Sequence, residues 1–358
     1  DQLYRFGTLL KQTGADGMIQ ARLSSPIDGT GRPADLTTRA NQAGRWVDFM
    51  NNPKSDLRTY PYKGSITPVK FWTVGNEPDL LINPETNKKY TVAQYVNDFI
   101  QYSLDMHQND PTIKVFGPEI SQFYGIGVGP KDAFGHLWME HFLKGVAAYE
   151  QKHPELKYNL LDGVSFHRYP FDDARQNTSL LLSSTGEWDY LLPPLRQMIR
   201  QIMGRDLPIA VTEINTNPKV NVPTRGTAAL WWADTLGTLM NQQIEYVGFF
   251  SAEGVPTPYP LFTQGGLHQT PMFRVLQLFS HMQRNLVPLD TQRDPISVYA
   301  TQDDTHQTAS LMFINKSIAT QLVQISSENQ LFNTSPWRSL DVSLLGYSIV
   351  VVTLHRGG

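Results

Sequence analysis

Six short apolar runs, each followed by a longer stretch with helical spacing, set the frame of this 358-residue chain. They are "GMIQARL" from Gly17, "VKFWTVGN" from Val69, "TIKVFG" from Thr112, "DGVSFHRY" from Asp162, "LPIAVTEI" from Leu207 and "EYVGFFSA" from Glu245. Strand and helix in alternation predict a parallel sheet with helical crossovers. The runs are apolar throughout rather than at every second residue, as expected of strands covered on both faces. The helices between them include Ala34–Asn52, a helix opened by Thr91 as its cap, "KDAFGHLWMEHFLKGVAAYEQK" from Lys131, "PPLRQMIRQIMG" from Pro193, "TAALWWADTLGTLMNQ" from Thr227, and Pro271–Gln283 capped by Thr270.

The expected fold is therefore α/β, a (β/α)8 TIM barrel. An eightfold barrel needs eight units, and six are visible. The opening "QLYRFGTLLKQ" looks like the helix that would precede the third strand. The first two units are expected to be missing from the chain, with an N-terminal segment or a second chain completing the barrel. After about Leu286 the character changes. "ISVYAT", "ASLMFINK", "TQLVQISS", "SLDVSLL" and "YSIVVVTLH" are short strands with polar turns and no helix between them. This predicts a small antiparallel β-sandwich over residues 287–358, behind a catalytic barrel over residues 1–286.

Composition removes several classes of function. Hydrophobic residues make up 40% and aromatics 11%, enough for a packed core, and the net charge is −3. There is no basic face for nucleic acid, no polybasic segment for a membrane surface and no apolar run long enough to span one. The chain has no cysteine, so thiol nucleophiles, thiolate metal sites and disulfides are excluded. No cofactor or metal is expected. Three glycosylation patterns, at Asn177, Asn315 and Asn333, are read as chance matches.

Active residues of a parallel barrel gather at the C-terminal ends of its strands. Those ends hold Arg22, Asn76, Glu77, Glu119, His167, Tyr169, Glu213, Ser251 and Glu253. Glu77 follows "KFWTVGN" and precedes a proline, and Glu213 closes "LPIAVTEI". Two glutamates across a barrel mouth suit glycoside cleavage, in which one carboxyl protonates the leaving oxygen and the other attacks the anomeric carbon.

"FWTVGNEP", "SFHRYP" and "VTEI" resemble the strand-4, strand-6 and strand-7 signatures of the clan A glycoside hydrolases, the retaining (β/α)8-barrel enzymes. "RWVDFMNNPKSDLR…VKFWTVGNEP" is similar to members with an added β-sandwich: xyloglucanase-type endoglucanases, β-xylosidases and arabinofuranosidases. The resemblance implies Glu77 as general acid/base, Glu213 as nucleophile and Asn76 as the partner of the sugar 2-hydroxyl. It further implies that Tyr169 donates to the nucleophile. Where the clan usually places a tryptophan as sugar floor, this sequence has "GFFSAEG", with Phe249 or Phe250 as substitute.

Weaker features each have a plain structural role as the alternative. His167 is assigned to substrate binding, with a satisfied structural donor as the alternative, and Arg22 to a carboxylate in the mouth. Glu119 and Glu253 are kept off the catalytic pair, Glu119 as a subsite residue or the partner of a cation. Trp188, Tyr190 and Tyr259 are expected as sugar-stacking platforms. "GIGVG" (Gly125 to Gly129) is a rim loop, and "HLWMEH" has the wrong histidine spacing for zinc. The expected function is a retaining β-glycosidase with a carbohydrate substrate. The alternatives are an α-L-arabinofuranosidase of the same clan, a non-catalytic carbohydrate-binding barrel and a metal-dependent barrel hydrolase.

Overall fold

The computed structural model describes residues 2–23, 34–171, 177–221, 223–254, 258–289, 294–326 and 339–355. The chain opens with α1 (Gln2–Thr13), β1 (Met18–Ala21), α2 (Leu36–Asn51) and β2 (Phe71–Val74). A hairpin, β3 (Ile82–Asn83) and β4 (Lys88–Lys89), leads to α3 (Val92–Asn109), β5 (Lys114–Ile120), α4 (Trp138–Lys152) and β6 (Gly163–Arg168). Then come α5 (Thr178–Ser183), α6 (Trp188–Met203), β7 (Ile209–Ile214), α7 (Arg225–Asn241), β8 (Tyr246–Phe249) and α8 (Pro271–Phe279). The last strands are β9 (Asn285–Val287), β10 (Ile296–Gln302), β11 (Thr308–Asn315), β12 (Gln321–Ser326), β13 (Ser339–Leu344) and β14 (Ser348–His355).

These elements fall into two compact units. The first comprises Asp1–Arg168, Leu191–Glu213 and Glu245–Val247. Its centre is a curled parallel sheet in the order β1-β2-β5-β6-β7-β8, with β1 and β8 at the edges. Neighbours in the sheet follow chain order, so each crossover advances one strand and all C-terminal ends lie along one rim. All six expected strands are present.

Local chemistry explains the helices that cover the sheet. Asp35 caps α2 by accepting from the Thr38 N–H at 2.8 Å. Thr91 and Gln94 form a reciprocal capping box on α3. From that start α3 buries Tyr95, Phe99, Tyr102 and Met106, one stripe at helical spacing. The Phe99 ring meets Phe142 of α4 edge-on, centroids 4.9 Å apart. Gly163 opens β6 because a Cβ there would run into the Phe116 ring on β5.

The second unit comprises Tyr169–Tyr190, Ile214–Ile244 and Gly248–Gly358. It holds an antiparallel sheet in the order β14-β11-β10-β9 and a separate ribbon of β12 and β13. Buried on α7, Asp234 accepts from the Tyr299 hydroxyl and the Thr185 hydroxyl at 2.6 Å each, and Lys316 Nζ lies 3.1 Å away. A buried carboxylate needs such partners. The Asn315 side chain donates to the carbonyls of Ala319, Leu344 and Leu345, so it is fully occupied and closed to a glycan. Asn177 caps α5, and Asn333 lies outside the described residues.

Several helix boundaries differ from expectation. α4 starts at Trp138 rather than Lys131, because the preceding residues form a turn closed by the Lys131–Leu137 bridge. α6 starts at Trp188, with Pro193 and Pro194 inside it rather than at its head. α8 ends at Phe279, and the Thr270 hydroxyl donates back to the carbonyls of Pro260 and Leu261 instead of capping the helix. Among the described residues no helix is long and apolar enough to cross a membrane.

Candidate active site

The rim of the first unit gathers three acids around one histidine. β2 ends at Val74; the chain then turns through Gly75 and Asn76 to Glu77, whose backbone is left-handed at φ 48°. That turn is fastened to the end of β5. The Glu77 N–H donates to the Glu119 carbonyl at 2.9 Å, and the Asp79 carboxylate accepts from the Ser121 N–H at 2.9 Å and from its hydroxyl. Burial raises the Asp79 pKa despite the Ser121 hydrogen bonds, which lower it.

Glu119 owes its place to a bulge. In the β5–β6 ladder Pro118 faces Ser165 and Ile120 faces Phe166, so Glu119 is the extra residue without a partner. Its backbone is left-handed as well, at φ 57°. Its side chain is 1% exposed and accepts from the Thr212 hydroxyl at 2.9 Å and the Gln20 amide at 3.2 Å.

His167, on β6, sits among these acids with 1% exposure. Its Nδ1 lies 3.0 Å from Glu77 Oε1 and 3.7 Å from Glu213 Oε2, while Nε2 lies 3.5 Å from Glu119 Oε2. Burial works against a charge on the ring, but the hydrogen bonds to Glu119 and Glu77 and the field of Glu119 and Glu213 outweigh it. The pKa is pushed up to about 10. One oxygen of Glu77, one of Glu213 and one nitrogen of His167 lie within 4.8 Å of one another. Such spacing would also suit a cation, for which the ring would have to give up a proton and offer a lone pair.

The remaining predicted residues are placed as follows. Asn76 is exposed, its side-chain oxygen accepting from Gln20 at 3.2 Å. Arg22 is exposed just past β1, and its carbonyl accepts from the Tyr102 hydroxyl at 2.7 Å. His167, expected as a substrate contact, is buried and has carboxylate oxygens around its ring. In the second unit, Tyr169 follows β6 and is 2% exposed. The Phe249 ring packs on Trp232 of α7, centroids 4.6 Å apart, and Phe250 follows the end of β8. Tyr259 is half-buried under the Arg225 guanidinium, 5.7 Å from its ring, and its carbonyl accepts from Asn215. Glu253 is exposed. Trp188 is a correction: at 1% exposure in the first turn of α6, its ring has no open face for a sugar to stack on, whereas Tyr190 is 81% exposed.

Two participants escaped the sequence analysis, Gln20 and Thr212, and a third, Glu119, was noticed but set aside. Glu119 had a signal, an acid at a strand tip beside a proline, and its carboxylate lies 3.5 Å from His167 Nε2. Gln20 and Thr212 lie inside strands, where nothing in the sequence marks them as facing a charge.

The family model of glycoside hydrolase family 44 matches residues 14–172, less than half of the chain. That span contains Glu77, Glu119 and His167. Among curated proteins no sequence match is found. Among solved structures, a family 44 xyloglucanase from Paenibacillus polymyxa in complex with xyloglucan superposes with a TM-score of 0.66 at 14% identity, covering 96% of this chain and 75% of that one. CelM2, a bifunctional glucanase-xylanase from a metagenome library, gives 0.65 at 16% identity, covering 91% and 70%. The family 51 α-L-arabinofuranosidase from Thermotoga petrophila gives 0.69 at 16% identity, covering 97% and 77%. These likenesses establish a shared fold. Families 44 and 51 both belong to clan A, the group whose strand-end signatures this sequence resembles.

Proposed function

We propose that this glycoside hydrolase is a retaining β-glycosidase, with Glu213 as nucleophile and Glu77 as general acid/base. The observation that carries the reading is the approach of the two glutamates, whose facing oxygens lie within 4.8 Å. Retaining enzymes hold their carboxyls ~5–5.5 Å apart, whereas inversion needs ~6.5–9.5 Å to admit a water between carboxylate and sugar. Glu213 attacks the anomeric carbon as Glu77 gives its proton to the departing oxygen. Water then enters, with Glu77 as base, and releases the sugar from Glu213. In this reading Asn76, exposed at the same turn as Glu77, meets a sugar hydroxyl.

The negative charge of the pair changes place in each half-reaction. It resides on Glu213 before attack and on Glu77 in the covalent intermediate. His167 Nδ1 lies within 3.7 Å of both, so the charge moves around a fixed neighbour. On fold, the reading extends the six-stranded sheet to a (β/α)8 barrel and the C-terminal strands to a β-sandwich over residues 287–358. An α-L-arabinofuranosidase uses the same pair, and the likeness to a family 51 enzyme supports it as the second reading.

The test is a panel of nitrophenyl β-glucoside, β-xyloside, β-galactoside and α-L-arabinofuranoside together with xyloglucan, assayed with wild type and Glu213→Gly. Activity that vanishes in the variant and returns with azide, giving a glycosyl azide of inverted anomeric configuration, establishes the nucleophile. The substrate cleaved decides between the two readings. Undiminished turnover by Glu213→Gly removes that residue from the pair.

A further inference from the structure

We propose that Glu119 is a positioning residue for this reaction: its buried carboxylate holds His167 as an imidazolium whose Nδ1–H is aimed at the Glu77–Glu213 pair. The inference rests on the retaining reading above and adds to it a third acid that touches no substrate. Its basis is geometric. Each ring nitrogen of His167 faces carboxylate oxygen, Nε2 toward Glu119 at 3.5 Å and Nδ1 toward Glu77 at 3.0 Å. Before attack Glu77 carries the acid proton and Glu213 the charge, so the carboxylates that call for a proton from the ring are Glu213, 3.7 Å from Nδ1, and Glu119, 3.5 Å from Nε2. A charged ring offers each of these two an N–H, and a neutral ring only one of them.

Glu119 is also the acid that most needs this cation. Its other polar contacts, Thr212 and Gln20, are neutral donors, and at 1% exposure it has almost no water. An ionised carboxylate so placed is costly unless it is paired. The groups facing His167 from the neighbouring strands are Glu77 after β2, Glu119 on β5 and Glu213 on β7. Tyr246 of β8 and Tyr95 of α3 also feel Glu119, and burial, with that negative charge, raises the pKa of both phenols.

The experiment compares wild type, Glu119→Gln and Glu119→Asp. The glutamine keeps the shape and can still bond to Thr212, but it has no charge; the aspartate keeps the charge. The imidazole is followed by nitrogen NMR, its signal assigned among the nine histidines by its loss in His167→Gln. In Glu119→Gln the ring is expected to lose its second proton at a pH lower by roughly one unit or more. The alkaline limb of kcat moves the same way while KM stays close to wild type, and Glu119→Asp recovers part of both effects. An imidazole titration unchanged by Glu119→Gln overturns the proposal, as does a shifted titration with an unshifted pH profile. Should Glu119→Gln fail to fold, a wild-type ring already neutral at mildly alkaline pH is equally fatal. A wild type inactive on every glycoside would count against the glycosidase reading, while the imidazole titration would still judge Glu119 by itself.

Discussion

The Glu77 N–H donates to the Glu119 carbonyl across 2.9 Å, and both residues hold a left-handed backbone, at φ 48° and 57°. Neither is glycine, so each conformation costs about 1–2 kcal/mol. The hydrogen bond joins the turn that presents one acid to the bulge that presents another. Asp79 and Ser121 tie the same two segments a second time. Asp79→Ala should therefore lower stability by about 1–3 kcal/mol and reduce kcat with little change in KM, since the turn that aims Glu77 loosens. Denaturant unfolding and steady-state kinetics on one preparation check this; a KM effect without a kcat effect would mean that Asp79 serves binding instead.

Glu77→Gln should act in proportion to how much acid help the leaving group needs. For an unactivated oligosaccharide, loss of about 10²–10⁴-fold is expected. An aryl glycoside whose phenolate departs unaided should lose far less in kcat/KM. Equal losses on both substrates would assign Glu77 to something other than proton transfer.

His167 ties stability to pH. Its folded-state pKa, about 10, lies above the ordinary 6.5. The folded protein thus holds a proton that the unfolded chain releases sooner. The resulting stabilisation is complete below the ordinary value and is lost as pH rises toward about 10. Wild type should show a falling Tm across that window, and His167→Gln a flatter one. Parallel curves for the two proteins would mean that the ring carries no proton of this kind.

Trp188→Ala should reveal a core residue rather than a sugar platform. Removing a buried indole costs about 3–5 kcal/mol in stability. KM for a small glycoside should stay near wild type in whatever fraction remains folded. A raised KM at unchanged Tm would restore the platform reading.

The parallel architecture was legible because a strand covered on both faces must be apolar along its length, and six such runs can be seen in the sequence. Glu77 and Glu213 were legible for the complementary reason: a carboxylate that ends an apolar run has no role in the ladder. Glu119 showed the same pattern but was set aside, since the sequence does not reveal that a bulge turns it toward His167. Trp188 was misplaced because Pro193 and Pro194 look like a helix head, whereas α6 runs through them. The three-residue β9 was missed because a strand that short leaves no period to detect.

The unpaired residue in β5 makes the electrostatics of this rim depend on a count of backbone residues. Deleting Glu119 would let Pro118 and Ile120 follow one another in the ladder with β6, giving a more regular sheet than the present one. That tidier sheet would have two acids at its rim in place of three, and the face of the imidazole turned away from the glutamate pair would meet no counter-charge. Here an irregularity in strand pairing, not a choice of side chain on a regular strand, sets the charge state of the ring.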